Sequence, residues 1–134
     1  MKTVITYGTF DLIHYGHLNL LKRAAALGDY LIVGVSSDEF CMQKGKVAHY
    51  SLEKRMEMVA DLKYVNKVIP ELSMHQKIED IKKYSVDIFC LGSDYEKTFL
   101  EMDEYTEVNN MCEIVFLERT PNISSTILRS QITK

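Results

Sequence analysis

The sequence predicts an α/β fold: one domain over residues 1–134, built on a doubly wound, parallel sheet of five strands. Three observations predict it. Short apolar, β-branched runs alternate along the chain with segments of helical spacing. The run Tyr30–Val35 (YLIVGV) is continuously apolar, as a strand covered on both faces must be. Each polar cluster follows a predicted strand, the side on which open α/β sheets bind their ligands.

The first strand is the apolar run Val4–Tyr7, which meets Gly8. A polar turn with Thr9, Asp11, His14, Gly16 and His17 leads into a helix whose apolar stripe joins Leu18, Leu21 and Ala25 to Leu20, Ala24 and Leu27. Gly28 is its expected C-cap. The second strand, Tyr30–Val35, ends at Ser36, Ser37 and Asp38. The stretch Glu39–Tyr50 reads as an irregular loop carrying Lys44 and Lys46. Ser51 caps the next helix, with Glu53 in its first turn and Met56, Val59 and Leu62 on its apolar face. Val65–Ile69 reads as a short strand closed by Pro70. A helix from about His75 to Tyr84 turns Ile78 and Ile81 inward, and Val86–Leu91 forms the fourth strand, ending at Gly92, Ser93 and Asp94. Tyr95–Asn110 is the least regular part, either helical or an extension beside the site. Glu113–Leu117 is the fifth strand, and Ser124 caps a last helix to about Ile132.

Composition narrows the function. With 46% hydrophobic residues, 134 residues bury a core without a staple. Cys41, Cys90 and Cys112 form no CxxC pair and leave an odd thiol, which predicts a reducing, cytoplasmic setting rather than a disulfide scaffold. The opening MKTVITYGTF reads as a strand, not a signal peptide, and no apolar run reaches membrane-spanning length. A net charge of −3 without a basic tail argues against a general nucleic-acid binder. A phosphate-handling protein of this charge has to gather its cations locally.

The turn after the first strand is the natural place. A new helix offers free N–H groups and a positive dipole end to an anion. His14 and His17, three residues apart, project to one side of that helix start. A capping-and-packing pair, or an HxxH zinc site, are the competing readings, but no third ligand lies nearby in the sequence.

The segment GTFDLIHYGH resembles the GTFDxxHxGH signature of nucleotidyltransferases, in particular the small bacterial cytidylyltransferases, and RTPNISST (Arg119–Thr126) resembles their RTxGISTT. Both motifs, with the length and order of the chain, are most similar to the glycerol-3-phosphate cytidylyltransferases. The resemblance implies a Rossmann-like nucleotidyltransferase fold. It also implies transfer of CMP from CTP to glycerol-3-phosphate, giving CDP-glycerol and pyrophosphate for teichoic-acid or capsule-type polymers. Magnesium arrives with CTP, with no protein ligand to the metal expected, and the protein is expected to be a homodimer that binds neither nucleic acid nor membrane.

By the same resemblance, His14, His17, Lys46 and Arg119 are the catalytic set. Gly8, Thr9, Phe10, Gly16, Gly92, Asp94, Arg119, Thr120, Ser124, Ser125 and Thr126 hold the nucleotide, and Asp11, Lys44, Arg55, Lys63 and Lys77 hold the acceptor. Several have structural alternatives. Asp11 can order its own turn. Gly16 can serve packing alone, Lys77 can be a surface lysine, and the serines can be N-caps. The chemistry suits this inventory: the attacking phosphate is already anionic, so the site must align anions and neutralise charge rather than supply a strong base.

The chain departs from the family pattern at several positions. Asn122 stands where the family has Gly, after Pro121; Ser93 interrupts its GDD; Lys63, Asn66 and Met74 stand where it has Arg, Asp and Trp. These changes cluster in the base and acceptor regions. They leave glycerol-2-phosphate or another small polyol phosphate, and adenylyl transfer to a sugar phosphate, as alternatives. A non-catalytic nucleotide-binding module is the alternative from another class.

Overall fold

The computed structural model describes residues 1–11, 15–43, 45, 47–73, 75–93 and 96–118. Within them, strands β1 (Thr3–Gly8), β2 (Tyr30–Ser36), β3 (Lys67–Glu71), β4 (Ile88–Gly92) and β5 (Glu113–Leu117) form one sheet in the order β3-β2-β1-β4-β5. Every neighbouring pair is parallel. Helices α1 (Tyr15–Ala25), α2 (Asp38–Gln43), α3 (Leu52–Ala60), α4 (Gln76–Tyr84), α5 (Glu96–Leu100) and α6 (Tyr105–Met111) lie in the connections. The last predicted helix lies outside the described residues.

Alternation along the strands divides the core in two. Val4, Leu31, Val33, Val35, Ile88 and Cys90 meet Leu21 and Ala24 of α1 and Val59 of α3 on one face. Ile5, Ile32, Ile69, Phe89 and Leu91 meet Ile81 of α4, Phe99 of α5 and Val108 of α6 on the other. Each such aliphatic or aromatic side chain contributes about 1.5–3 kcal/mol through burial, which is why the sheet is wound on both sides.

Three local features differ from expectation. Gly28 is not a left-handed cap; a Cβ there would lie 2.8 Å from the Lys2 carbonyl oxygen and 2.8 Å from Val4 Cγ2, so close backbone approach explains the glycine. Residues 38–43 are helical, started by Ser37, whose hydroxyl accepts the Phe40 N–H at 3.1 Å. Pro70 lies inside β3, opposite Val35, because β3 is an edge strand and tolerates a residue without an N–H. Of the two readings for Tyr95–Asn110, the helical one holds over 96–100 and 105–111, where Phe99 and Val108 are buried against the sheet.

One feature of register places the site. β1 pairs with β2 from Thr3↔Tyr30 to Gly8↔Val35, but with β4 only through Val4↔Ile88 and Ile5↔Phe89. The strand order reverses at this junction, with β2 and β3 to one side and β4 and β5 to the other. The crevice beyond the ends of β1 and β4, between Gly8 and Gly92, is the switch point where such sheets bind ligands.

Candidate active site

Gly8 ends β1 and the chain turns sharply after it. A Cβ on Gly8 would lie 2.7 Å from Phe10 Cε2, so the absent side chain leaves room for the Phe10 ring to fold back. Phe10 has φ 51°, an uncommon left-handed conformation for an aromatic residue, and is buried. Its ring packs on His17, with centroids 5.4 Å apart and planes tilted by 58°. His17 sits in the first turn of α1 with Gly16 before it, so its imidazole stands beside the turn at the helix N-terminus.

Asp11 is almost wholly buried, and its carboxylate accepts the His49 N–H at 2.8 Å and the Tyr50 N–H at 2.9 Å. It therefore ties the turn after β1 to the segment between α2 and α3. Arg55 makes a second tie. It is fully buried on α3: its Nε donates to Tyr50 O at 2.9 Å, its Nη1 to Thr9 O at 2.9 Å and Ser36 O at 2.6 Å, and its Nη2 pairs with Asp38 Oδ1 at 2.6 Å. One guanidinium thus joins the backbone after β1, the end of β2, the start of α2 and the approach to α3. Its planar fork of donors suits this task, which a single ammonium does not reproduce.

On the other face of the sheet a second polar group forms. Lys77, in the first turn of α4, lies 3.2 Å from Glu71 Oε2 and 5.1 Å from the Tyr7 ring centroid. The Tyr7 hydroxyl donates to Asp80 Oδ2 at 2.7 Å, and Gln76 Nε2 donates to the same oxygen at 2.9 Å. Burial, and next the bond to Asp80, raise the Tyr7 phenol above its usual range, so it remains a neutral donor. The Tyr7 ring occupies the space beside Gly34, where a Cβ would come within 2.3 Å of Tyr7 Cδ1.

The structure therefore brings Gly8, Thr9, Phe10, Asp11, Gly16, His17 and Arg55 together beyond the end of β1, with Lys77 on the adjoining margin and Gly92 across the crevice. It does not bring Lys63 there. Lys63 lies between α3 and β3, close to Asn66, whose Oδ1 accepts the N–H of Leu31 at the start of β2. That is the N-terminal margin, opposite the site, because α3 carries the chain back along the sheet. His14, Lys44, Lys46, Asp94, Arg119, Thr120, Ser124, Ser125 and Thr126 lie outside the described residues, as does Met74.

Sequence reasoning missed Tyr7, Ser36, Asp38, Glu71 and Asp80 as supports of the site. Tyr7, two residues after Ile5, shares its α4 face, and Asp80 stands one residue before Ile81 on α4, at i+4 from Gln76. These spacings hold the signal, but a carboxylate beside an apolar stripe is ordinarily solvated.

The cytidylyltransferase-like family model matches residues 5–131. The chain is 49% identical over 132 residues to the glycerol-3-phosphate cytidylyltransferase of Bacillus spizizenii, covering 98% of each chain. It is 45% identical over 132 residues to the enzyme of the same name from Staphylococcus aureus, covering 98% of this chain and 96% of that one. Among solved structures it resembles the lipopolysaccharide core biosynthesis protein of Thermoplasma volcanium, with TM-score 0.78, 26% identity, and coverage of 90% and 98%.

Proposed function

The chain belongs to the cytidylyltransferase-like family, and on that basis we propose that it transfers CMP from CTP to glycerol-3-phosphate, releasing pyrophosphate and forming CDP-glycerol. The observation that carries this reading is the near-complete match, end to end, with relatives of that name. The geometry beyond β1 supports it: an α-helix N-terminus, an imidazole and a tied-down turn face the switch-point crevice.

In this mechanism the glycerol phosphate oxygen attacks the α-phosphorus of CTP, that bond forms as the bond to the β-phosphate bridge breaks, and pyrophosphate departs. His17, with His14, donates hydrogen bonds to phosphate oxygens as charge moves onto the leaving group. Backbone N–H groups of Thr9 and Phe10 and the N-terminus of α1 support the same anion. Lys44, Lys46 and Arg119 supply further positive charge, and Thr120, Ser124, Ser125 and Thr126 supply donors. Gly92 and Asp94 are assigned to nucleoside recognition. Lys77 receives the acceptor phosphate. Arg55 and Asp11 hold the frame on which these groups stand, through the bonds described above. Magnesium is proposed to enter with CTP, where it would neutralise phosphate charge.

The proposal includes a homodimer acting in the cytoplasm on precursors of teichoic-acid or capsule-type polymers. Cys41, Cys90 and Cys112 are all free, which fits a reducing compartment. No described helix is long and apolar enough to cross a membrane.

The test is pyrophosphate release with CTP, magnesium and glycerol-3-phosphate, set beside glycerol-2-phosphate and beside ATP in place of CTP. Turnover fastest with CTP and glycerol-3-phosphate is the expected result. Absence of release with every phosphopolyol refutes the reading, and preference for ATP redirects it to adenylyl transfer.

A further inference from the structure

The polar group on the α4 face is built more tightly than a surface pair requires. Glu71, the last residue of β3, is 3% exposed and its two oxygens face different partners. Oε2 meets Lys77 Nζ at 3.2 Å, and Oε1 accepts the Ser36 hydroxyl at 2.8 Å. The same hydroxyl lies 3.3 Å from Gly8 O, so one proton is shared between the carboxylate and the carbonyl that opens the turn after β1. A continuous line of contacts thus runs from the Lys77 ammonium through Glu71 and Ser36 to Gly8.

The second carboxylate nearby, Asp80, is already engaged by the Tyr7 hydroxyl and Gln76 Nε2. The Lys77 ammonium rests on the Tyr7 ring on one side and Glu71 on another. Of the charged pair, Lys77 keeps the greater exposure, 12% of its side chain against 4% for Glu71. A buried ion pair is a weak source of stability compared with apolar packing of equal volume. It is a strong way to hold a cation in one place.

We propose that Glu71 is a positioning residue of the transfer reaction, fixing the Lys77 ammonium relative to the Gly8 turn through Ser36. The acceptor phosphate and the nucleotide phosphates then meet groups that belong to one rigid network. This inference rests on the transfer reaction proposed above and adds the determinant of acceptor placement.

The test is steady-state kinetics of wild type, Glu71→Gln, Lys77→Ala and the double variant, varying CTP and glycerol-3-phosphate separately. Glu71→Gln is isosteric and removes the charge. It is expected to raise KM for glycerol-3-phosphate about tenfold or more, the scale of one displaced charge-assisted hydrogen bond, while KM for CTP moves less than about twofold. The double variant is expected to be no worse than Lys77→Ala alone. Independent, multiplying effects overturn the proposal, as does a Glu71→Gln enzyme in which KM for CTP and KM for acceptor rise equally while kcat falls. Should Glu71→Gln not fold by circular dichroism, Ser36→Ala and Lys77→Ala form the same cycle, and independence there overturns the proposal equally. A wild type inactive on glycerol-3-phosphate refutes the transfer reading and this inference together. An active wild type beside a Glu71→Gln enzyme of unchanged acceptor KM refutes the inference alone.

Discussion

Arg55 offers the sharpest test of how the site is held. Arg55→Lys keeps the charge and most of the stem but replaces a fork of donors with one nitrogen. In the structure the fork reaches Tyr50 O from Nε, Thr9 O and Ser36 O from Nη1, and Asp38 from Nη2. One ammonium cannot occupy the Nε, Nη1 and Nη2 positions at once. At least two acceptors lose their donor, each costing about 1–3 kcal/mol, whereas the pair with the half-exposed Asp38 adds less than about 1 kcal/mol. A loss of about 3–5 kcal/mol is a large share of a domain stability of roughly 5–15 kcal/mol. Urea unfolding followed by far-ultraviolet circular dichroism suits a chain without tryptophan. The midpoint is expected to fall by about 2 M with an unchanged slope, for slopes of about 1–3 kcal/mol/M. A variant within about 1 kcal/mol of wild type would show that the fork is replaceable and the reasoning wrong.

His17→Ala is expected to lower kcat by about 10²–10³-fold, as loss of a preorganised donor does, with a melting temperature close to wild type; equal kcat in a pyrophosphate-release assay refutes a catalytic role. Burial pushes the Cys90 thiol up from its ordinary 9.0 to about 12. The unfolded chain therefore ionises first, and the stability due to this thiol is present below pH 9 and lost as pH rises towards 12. Urea midpoints across that range are expected to fall less steeply in Cys90→Ala than in wild type, and parallel curves contradict the assignment. Ser85 ends α4 with φ 52° and ψ 52°, a left-handed cap in which its N–H reaches Ile81 O and Lys82 O. Ser85→Gly is expected to stabilise by about 1 kcal/mol in thermal melts, since glycine adopts that conformation without the Cβ penalty, and a lower melting temperature opposes this.

The sheet was legible wherever burial on both faces leaves a continuous apolar run, as in β2 and β4, or a β-branched run before glycine, as in β1. Boundaries slipped where one residue carries two meanings. Pro70 signals a strand's end, yet an edge strand has no need of its N–H. Gly28 signals a helix cap, yet the constraint comes from Lys2, twenty-six positions earlier in the chain. Helix α2 is too short for its spacing to register, since two buried residues, Phe40 and Cys41, define no stripe. At the site, the glycine turn after β1 and the helix that follows it were readable because their signals are local. Arg55 was singled out as an acceptor-binding residue, but its bonds to Thr9, Ser36 and Tyr50 were not legible, nor were Glu71 and Asp80, because their partners lie on other elements and a lone charged side chain looks alike in sequence whether it is solvated or enclosed.

Phe10 carries a consequence for turnover. Its backbone conformation is held against its own preference, with the ring wedged between Gly8 and the imidazole of His17. A wedge of this kind narrows the arc through which the imidazole swings. The disorder that orientation removes is then surrendered once, when the chain folds, and does not have to be surrendered again each time a nucleotide arrives.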